Sequence, residues 1–153
     1  MIGLIWLCIM AYLVGSIPTG KIIARYKGID IQRVGTGNIG ASNAYKVLGF
    51  RYGLLVLLGD LGKAYLFIYI AYLFDYQMAD LMLIGLCLLV GNTKSIFLDF
   101  TGGKGIATSL GVFLATEPYV AFILLFFWLI ALVQTKLMEL AGIAGLISIP
   151  FTY

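Results

Sequence analysis

A chain of 153 residues that is 62% hydrophobic and 11% charged, with a mean hydropathy of +1.05, does not fit a water-soluble domain. Such domains are about 25% charged and about 45–50% apolar, and one of this size has too little interior to hide the excess. The formal net charge is only +3 and there is no histidine, so no nucleic-acid partner is read from the charge, and the usual proton shuttle of neutral pH is absent.

The first apolar run, residues 2–24, is long enough to span about 30 Å of hydrocarbon. It lacks a basic leading segment, and Gly15-Ser16-Ile17-Pro18 leads on into more apolar chain. It therefore reads as a permanent helix and not a cleaved signal. Lys21, late in this run, can snorkel to the membrane interface. A polar loop, 25–52, follows. The second run covers 53–74, an acidic connection 75–80, and a shorter third run 81–90. A second polar loop, 91–105, contains glycines. Residues 106–116 are apolar until Glu117-Pro118 breaks them, and 119–133 are strongly apolar. A polar break at 134–139 precedes a last, incomplete run at 140–153. Backbone groups in lipid must find partners within the chain, so the runs are expected to be helices. The expected architecture is all-α: one polytopic transmembrane bundle over residues 1–153, with about five to six membrane segments. Cys8 and Cys87 lie inside apolar runs and read as packing residues, not as a disulfide or metal site.

Charge placement sets the expected orientation. The first polar loop carries Arg25, Lys27, Arg33, Lys46 and Arg51 against Asp30, and the second carries Lys94 and Lys104 against Asp99. The 75–80 connection between them carries only Asp75 and Asp80, Glu117 marks the turn after the second loop and Lys136 the one after that, so basic and acidic turns alternate. The positive-inside rule places both glycine loops in the cytoplasm and the N-terminus outside.

Gly35-Thr36-Gly37-Asn38-Ile39-Gly40 fits the spacing of a dinucleotide-binding turn, and Asp60 lies about 20 residues beyond it. But Asp60 sits in a membrane run, and Ile29-Asp30-Ile31-Gln32 is too short and polar for the core strand such a turn requires. Thr101-Gly102-Gly103-Lys104-Gly105 hints at a P-loop, yet Leu98 stands where its first glycine belongs. What survives is the underlying physics: glycines let backbone N–H groups turn inward and form an anion-binding concavity. Thr36, Asn38, Ser42 and Asn43 add donors. A helix starting near Ala41 would aim its N-terminus at the same spot, and Lys104 can bring an ammonium onto a phosphate oxygen. The alternative is that the glycines serve only tight turns. Asp60 and Lys63, spaced i, i+3, share a helix face and can pair. They are candidates either for a functional intramembrane charge or for a structural ion pair.

Gly15-Ser16-Ile17-Pro18-Thr19-Gly20, the stretch Gly35 to Asn43, Asp60-Leu61-Gly62-Lys63, and Thr101-Gly102-Gly103-Lys104-Gly105-Ile106-Ala107-Thr108-Ser109 together resemble the PlsY family of bacterial membrane glycerol-3-phosphate acyltransferases. The resemblance implies an enzyme of the bacterial cell membrane that moves a fatty acyl group from acyl phosphate to the 1-hydroxyl of glycerol 3-phosphate. The products would be lysophosphatidic acid, a phospholipid precursor, and inorganic phosphate. It implies no metal and no cofactor, with the two substrates and membrane lipid as partners. By carry-over, Ser16, Thr36, Asn38 and Lys104 would be catalytic. Gly37, Gly40, Ser42, Asn43, Lys46, Gly102, Gly103 and Gly105 would bind the phosphates, with Asp60, Lys63 and Asn92 as further candidates.

The chain departs from the family at several points. Gly91-Asn92 stands where the family usually has Gly-His, and Lys46 stands where it usually has arginine, losing a bidentate fork. Lys136 likewise replaces an arginine, and Glu139 lies near a usual serine. The family's C-terminal segment, with a histidine and an asparagine, has no counterpart in the 153 residues. Catalysis would then rest on substrate phosphate and fixed dipoles. Two other readings are a non-catalytic relative that binds a phosphorylated lipid precursor and a small anion transporter.

Overall fold

The computed structural model describes residues 2–135, with side chains for residues 2–128 and 130. Most of the expected break at 134–139 and all of the run at 140–153, with Lys136 and Glu139, lie outside the described residues. The expected all-α architecture is found: the described residues form seven α-helices and no strand. They are α1 (Ile2–Ser16), α2 (Thr19–Tyr26), α3 (Ala41–Leu48), α4 (Phe50–Leu73), α5 (Met78–Thr93), α6 (Ile106–Thr116) and α7 (Pro118–Thr135). Short 3-10 turns occupy Ile31–Arg33 and Ile96–Leu98.

Two stretches, Ile2–Tyr26 and Phe50–Leu73, are long and apolar enough to cross a bilayer. The outward faces carry large apolar side chains, such as Trp6 at 63% and Leu66 at 57% exposure. Lipid tails are as apolar as leucine, so burying such groups between helices gains little. Close packing of small residues contributes instead. Gly91 of α5 meets the Tyr12 carbonyl of α1, and Gly111 of α6 meets the Leu61 carbonyl of α4; a Cβ at either would overlap that oxygen. Around these crossings Ala11, Ala64, Ile68, Leu81, Ile84, Leu88 and Val112 form one core. A second core of Ala24, Ile31, Ile39, Ala44, Val56 and Leu98 underlies the glycine loops.

The first apolar run is not one helix. It breaks at Ile17-Pro18, because proline donates no N–H and crowds the residue before it out of helical geometry. Carbonyls at the end of α1 thereby lose helical partners. Lys63 of α4 takes two of them, its Nζ donating to Gly15 O at 2.9 Å and Ile17 O at 2.8 Å. Ser95 Oγ donates to the third, Ser16 O, at 2.6 Å. The break thus becomes a junction joining α1, α2, α4 and the end of α5. The expected Glu117-Pro118 break is present, with Pro118 opening α7 at a position where its missing N–H costs nothing. The segment 25–52 is less open than a loop, since it contains α3 and the first 3-10 turn.

Candidate active site

The first glycine loop is shaped by one buried side chain. Asn43, 1% exposed, accepts from Thr36 N at 2.8 Å and donates through Nδ2 to Ile31 O at 3.1 Å and Val34 O at 3.0 Å. Its amide is committed to the loop backbone. Gly35 and Gly37, with φ of 62° and 73°, supply the left-handed turns between those anchors. Asn38 Oδ1 accepts from Gly40 N at 2.8 Å, and α3 then begins at Ala41, as its predicted start required. The first amides of a helix have no acceptor within it and face outward at its positive end.

The second loop is shaped by backbone contact. Gly103 N donates to Asn92 O at 2.9 Å. Gly102 lies so close to the Asn92 and Thr93 carbonyls that a Cβ would collide with both. A polar bridge ties the two loops: Lys21 Nζ donates to Gln32 Oε1 at 2.6 Å, and Gln32 Nε2 donates to Thr101 Oγ1 at 3.2 Å.

Both loops line one cavity of about 550 Å³. Thr36, Asn38, Gly40, Ser42, Asn43 and Lys46 come from the first loop and α3, and Gly103, Lys104 and Gly105 from the second. Asp60 of α4 and Asn92 of α5 complete the polar side. Gly37, Gly102, Ser16 and Lys63 are not among the lining residues. Ser16 is 1% exposed, and its hydroxyl finds no partner among the described residues. Lys63 lies behind the wall and pairs with Asp60 Oδ1 at 2.9 Å. Asp60, 7% exposed, also accepts from Thr19 Oγ1 at 2.9 Å. Two buried opposite charges with further hydrogen bonds on each are a compensated pair, and removing one partner alone would strand the other.

Sequence reasoning missed the opposite wall. Phe50, Leu54 and Leu57 of α4, Ile106 of α6 and Trp128 of α7 give the cavity an apolar side. Leucines and an indole inside membrane runs carry no signal that separates a pocket wall from a lipid-facing stripe. Ser42 Oγ and Trp128 Nε1 are buried polar atoms with no protein partner among the described residues. The site can therefore hold a molecule with an anionic end and an apolar end, and its cations, Lys46 and Lys104, stand on the exposed side.

The family profile described as "Glycerol-3-phosphate acyltransferase" matches residues 5–153. The chain belongs to the glycerol-3-phosphate acyltransferase family. A glycerol-3-phosphate acyltransferase of Fusobacterium nucleatum subsp. nucleatum is 40% identical over 147 residues, covering 95% of this chain and 76% of the relative. That of Aquifex aeolicus is 40% identical over 145 residues, covering 94% and 76%. A crystal structure of PlsY (YgiH), an integral membrane glycerol 3-phosphate acyltransferase, in its glycerol 3-phosphate form superposes with a TM-score of 0.90 at 39% identity. That match covers 95% of this chain and 74% of the other. The lysophosphatidic acid form of the same enzyme matches with a TM-score of 0.88. This family member is accordingly a membrane protein, and the exposed apolar faces of its helices are lipid-facing.

Proposed function

We propose that acyl phosphate is the donor with which this chain, a membrane acyltransferase of glycerol 3-phosphate, makes lysophosphatidic acid. The observation that carries this reading is the two-sided cavity, cationic and donor-rich where the glycine loops meet and apolar along α4 and α7. Both substrates bring phosphate to the first side, and an acyl chain suits the second. The glycerol 1-hydroxyl oxygen attacks the acyl carbon, and the bond from that carbon to the phosphate oxygen breaks. The hydroxyl proton passes to a phosphate oxygen, and hydrogen phosphate leaves. With so good a leaving group, positioning and charge stabilisation can supply most of the catalysis. Lys104 and Lys46 neutralise the phosphates. The Thr36 hydroxyl, the Asn38 amide and the Ser42 hydroxyl donate to them. Gly40 and Gly103–Gly105 let the backbone come close, while Asn43, Gly37 and Gly102 shape the loops. Ser16, set back from the cavity, takes no part in the proposed chemistry.

The proposed site of action is the bacterial cell membrane, with the glycine loops cytoplasmic and the N-terminus outside. The support is the alternation of basic and acidic connections. Single-cysteine labelling tests it: Gln32→Cys should react from the cytoplasmic side and Gln77→Cys from the other. Cytoplasmic labelling of Gln77→Cys would reverse the topology.

Phosphate release by purified protein from palmitoyl phosphate and glycerol 3-phosphate tests the reaction. Release that depends on both substrates is expected. Binding without turnover would identify a non-catalytic relative, and equal turnover of palmitoyl-CoA would tell against acyl phosphate as the donor.

A further inference from the structure

Asn92 joins the buried charges of α4 to the second glycine loop. Lys63 Nζ lies 3.1 Å from Asn92 Oδ1. An ammonium only donates, so the amide atom facing it must be the oxygen, and the NH₂ must point the other way. There, Asn92 Nδ2 lies 3.1 Å from the place a Cβ on Gly103 would occupy. The Asn92 carbonyl meanwhile accepts from Gly103 N at 2.9 Å. Asn92 is 5% exposed and lines the cavity beside Lys104. The cation behind it fixes which way the amide is turned, and its NH₂ faces the turn.

We infer that Asn92 is a substrate-contacting residue, its Nδ2–H donating to a phosphate oxygen seated on the Gly102–Gly105 turn, and that Lys63 is the positioning residue that keeps the amide so turned. The inference rests on reading that turn as a phosphate seat. The Asp60–Lys63 pair then has a use beyond holding helices together. Asp60 Oδ1, Gly15 O, Ile17 O and Asn92 Oδ1 are four acceptors sharing the three N–H groups of the Lys63 ammonium, and the contact with Asn92 aligns a neutral donor at the cavity wall. A neutral donor beside Lys104 adds direction without adding a like charge.

Asn92→Asp tests the contact. It keeps the size and the acceptor that Lys63 needs, but replaces the cavity-facing donor with a carboxylate oxygen. Loss of a charge-assisted hydrogen bond corresponds to about ten- to a hundredfold in affinity, so KM for the substrate seated there should rise by at least that factor. A rise for glycerol 3-phosphate assigns the turn to that substrate, and a rise for palmitoyl phosphate assigns it to the donor. Unchanged KM for both, in protein with the wild-type thermal midpoint, overturns the inference. The positioning role is read from a double-mutant cycle. Lys63→Met combined with Asp60→Asn removes both buried charges together. This pair of changes should raise the same KM in the wild-type background but not further when Asn92→Leu is already present. An additive rise would show that Lys63 does not act through Asn92. Should the variants fail to fold, the Asn92 side-chain NH₂ resonances of ¹⁵N-asparagine-labelled wild type should shift on addition of inorganic phosphate, and unmoved resonances overturn the contact. A wild-type protein without turnover contradicts the proposed reaction, whereas an unaffected Asn92 variant of an active protein contradicts only this inference.

Discussion

The two glycine loops meet at one cavity but are held in shape by opposite means. In the first, a side chain organises the backbone: Asn43 reaches from α3 to Thr36, Ile31 and Val34 and closes the turn around itself. In the second, the backbone of α5 is the template. Asn92 and Thr93 present their carbonyls, and only a residue without Cβ fits against them at Gly102. The first loop should therefore fail when a side chain is shortened, and the second when one is added.

Among changes to the way the loops are shaped, the largest effect is expected from Gly102→Ala. Its Cβ would meet backbone oxygens of a packed helix, which cannot move aside as a flexible side chain could. Overpacking of this kind costs about 1–3 kcal/mol and would displace the turn that carries Lys104. Activity should fall at least tenfold, as phosphate release measures, and a variant with wild-type activity would show that the turn tolerates relocation. Asn43→Ala comes next. It removes three hydrogen bonds worth about 1 kcal/mol each and leaves inward backbone groups unmet. A lower thermal midpoint in detergent should accompany a higher KM for substrate, and Asn43→Asp should recover part of both, because its oxygen still accepts from Thr36 N. Recovery equal to wild type would mean that the Ile31 and Val34 bonds contribute nothing. A smaller effect is expected from Lys46→Arg. It offers a phosphate two parallel donors in place of a point charge and should leave KM unchanged or modestly lower; a large rise would place Lys46 where a guanidinium does not fit. The smallest belongs to Lys27→Ala. Lys27 is exposed, lies over the Tyr52 ring at 4.9 Å and is not among the residues that line the cavity, so turnover should stay within about twofold, as for an exposed charge whose contribution is small.

The contrast also explains what could be read without coordinates. Among the described residues, the helical runs after the first, the turn glycines and the Asp60–Lys63 spacing are local properties that appear where periodicity and residue type place them. That both loops serve one anion-compatible cavity was legible from the basic charge each carries, which led to the expectation of one shared side. The break at Pro18 had its signal in the proline itself, but continuous apolarity on both sides masked it. Two features had no local signal. Trp128 reaches the cavity from α7, far along the chain from either loop. Lys63 binds carbonyls that exist as acceptors only because α1 ends at Ser16. Both are consequences of helices packing together.

The central claim is that the second loop seats a substrate phosphate through Lys104. Lys104→Ala, compared with Lys27→Ala in the same detergent and with helicity checked by circular dichroism, tests it most directly. A charge-assisted hydrogen bond to a substrate phosphate is worth about 1.5–3 kcal/mol, so Lys104→Ala should weaken glycerol 3-phosphate or acyl phosphate binding by about ten- to a hundredfold, or abolish turnover, while the bundle stays folded. If the two variants retain equal activity and equal affinity for both substrates, the Gly102–Gly105 segment is a turn and not a phosphate seat.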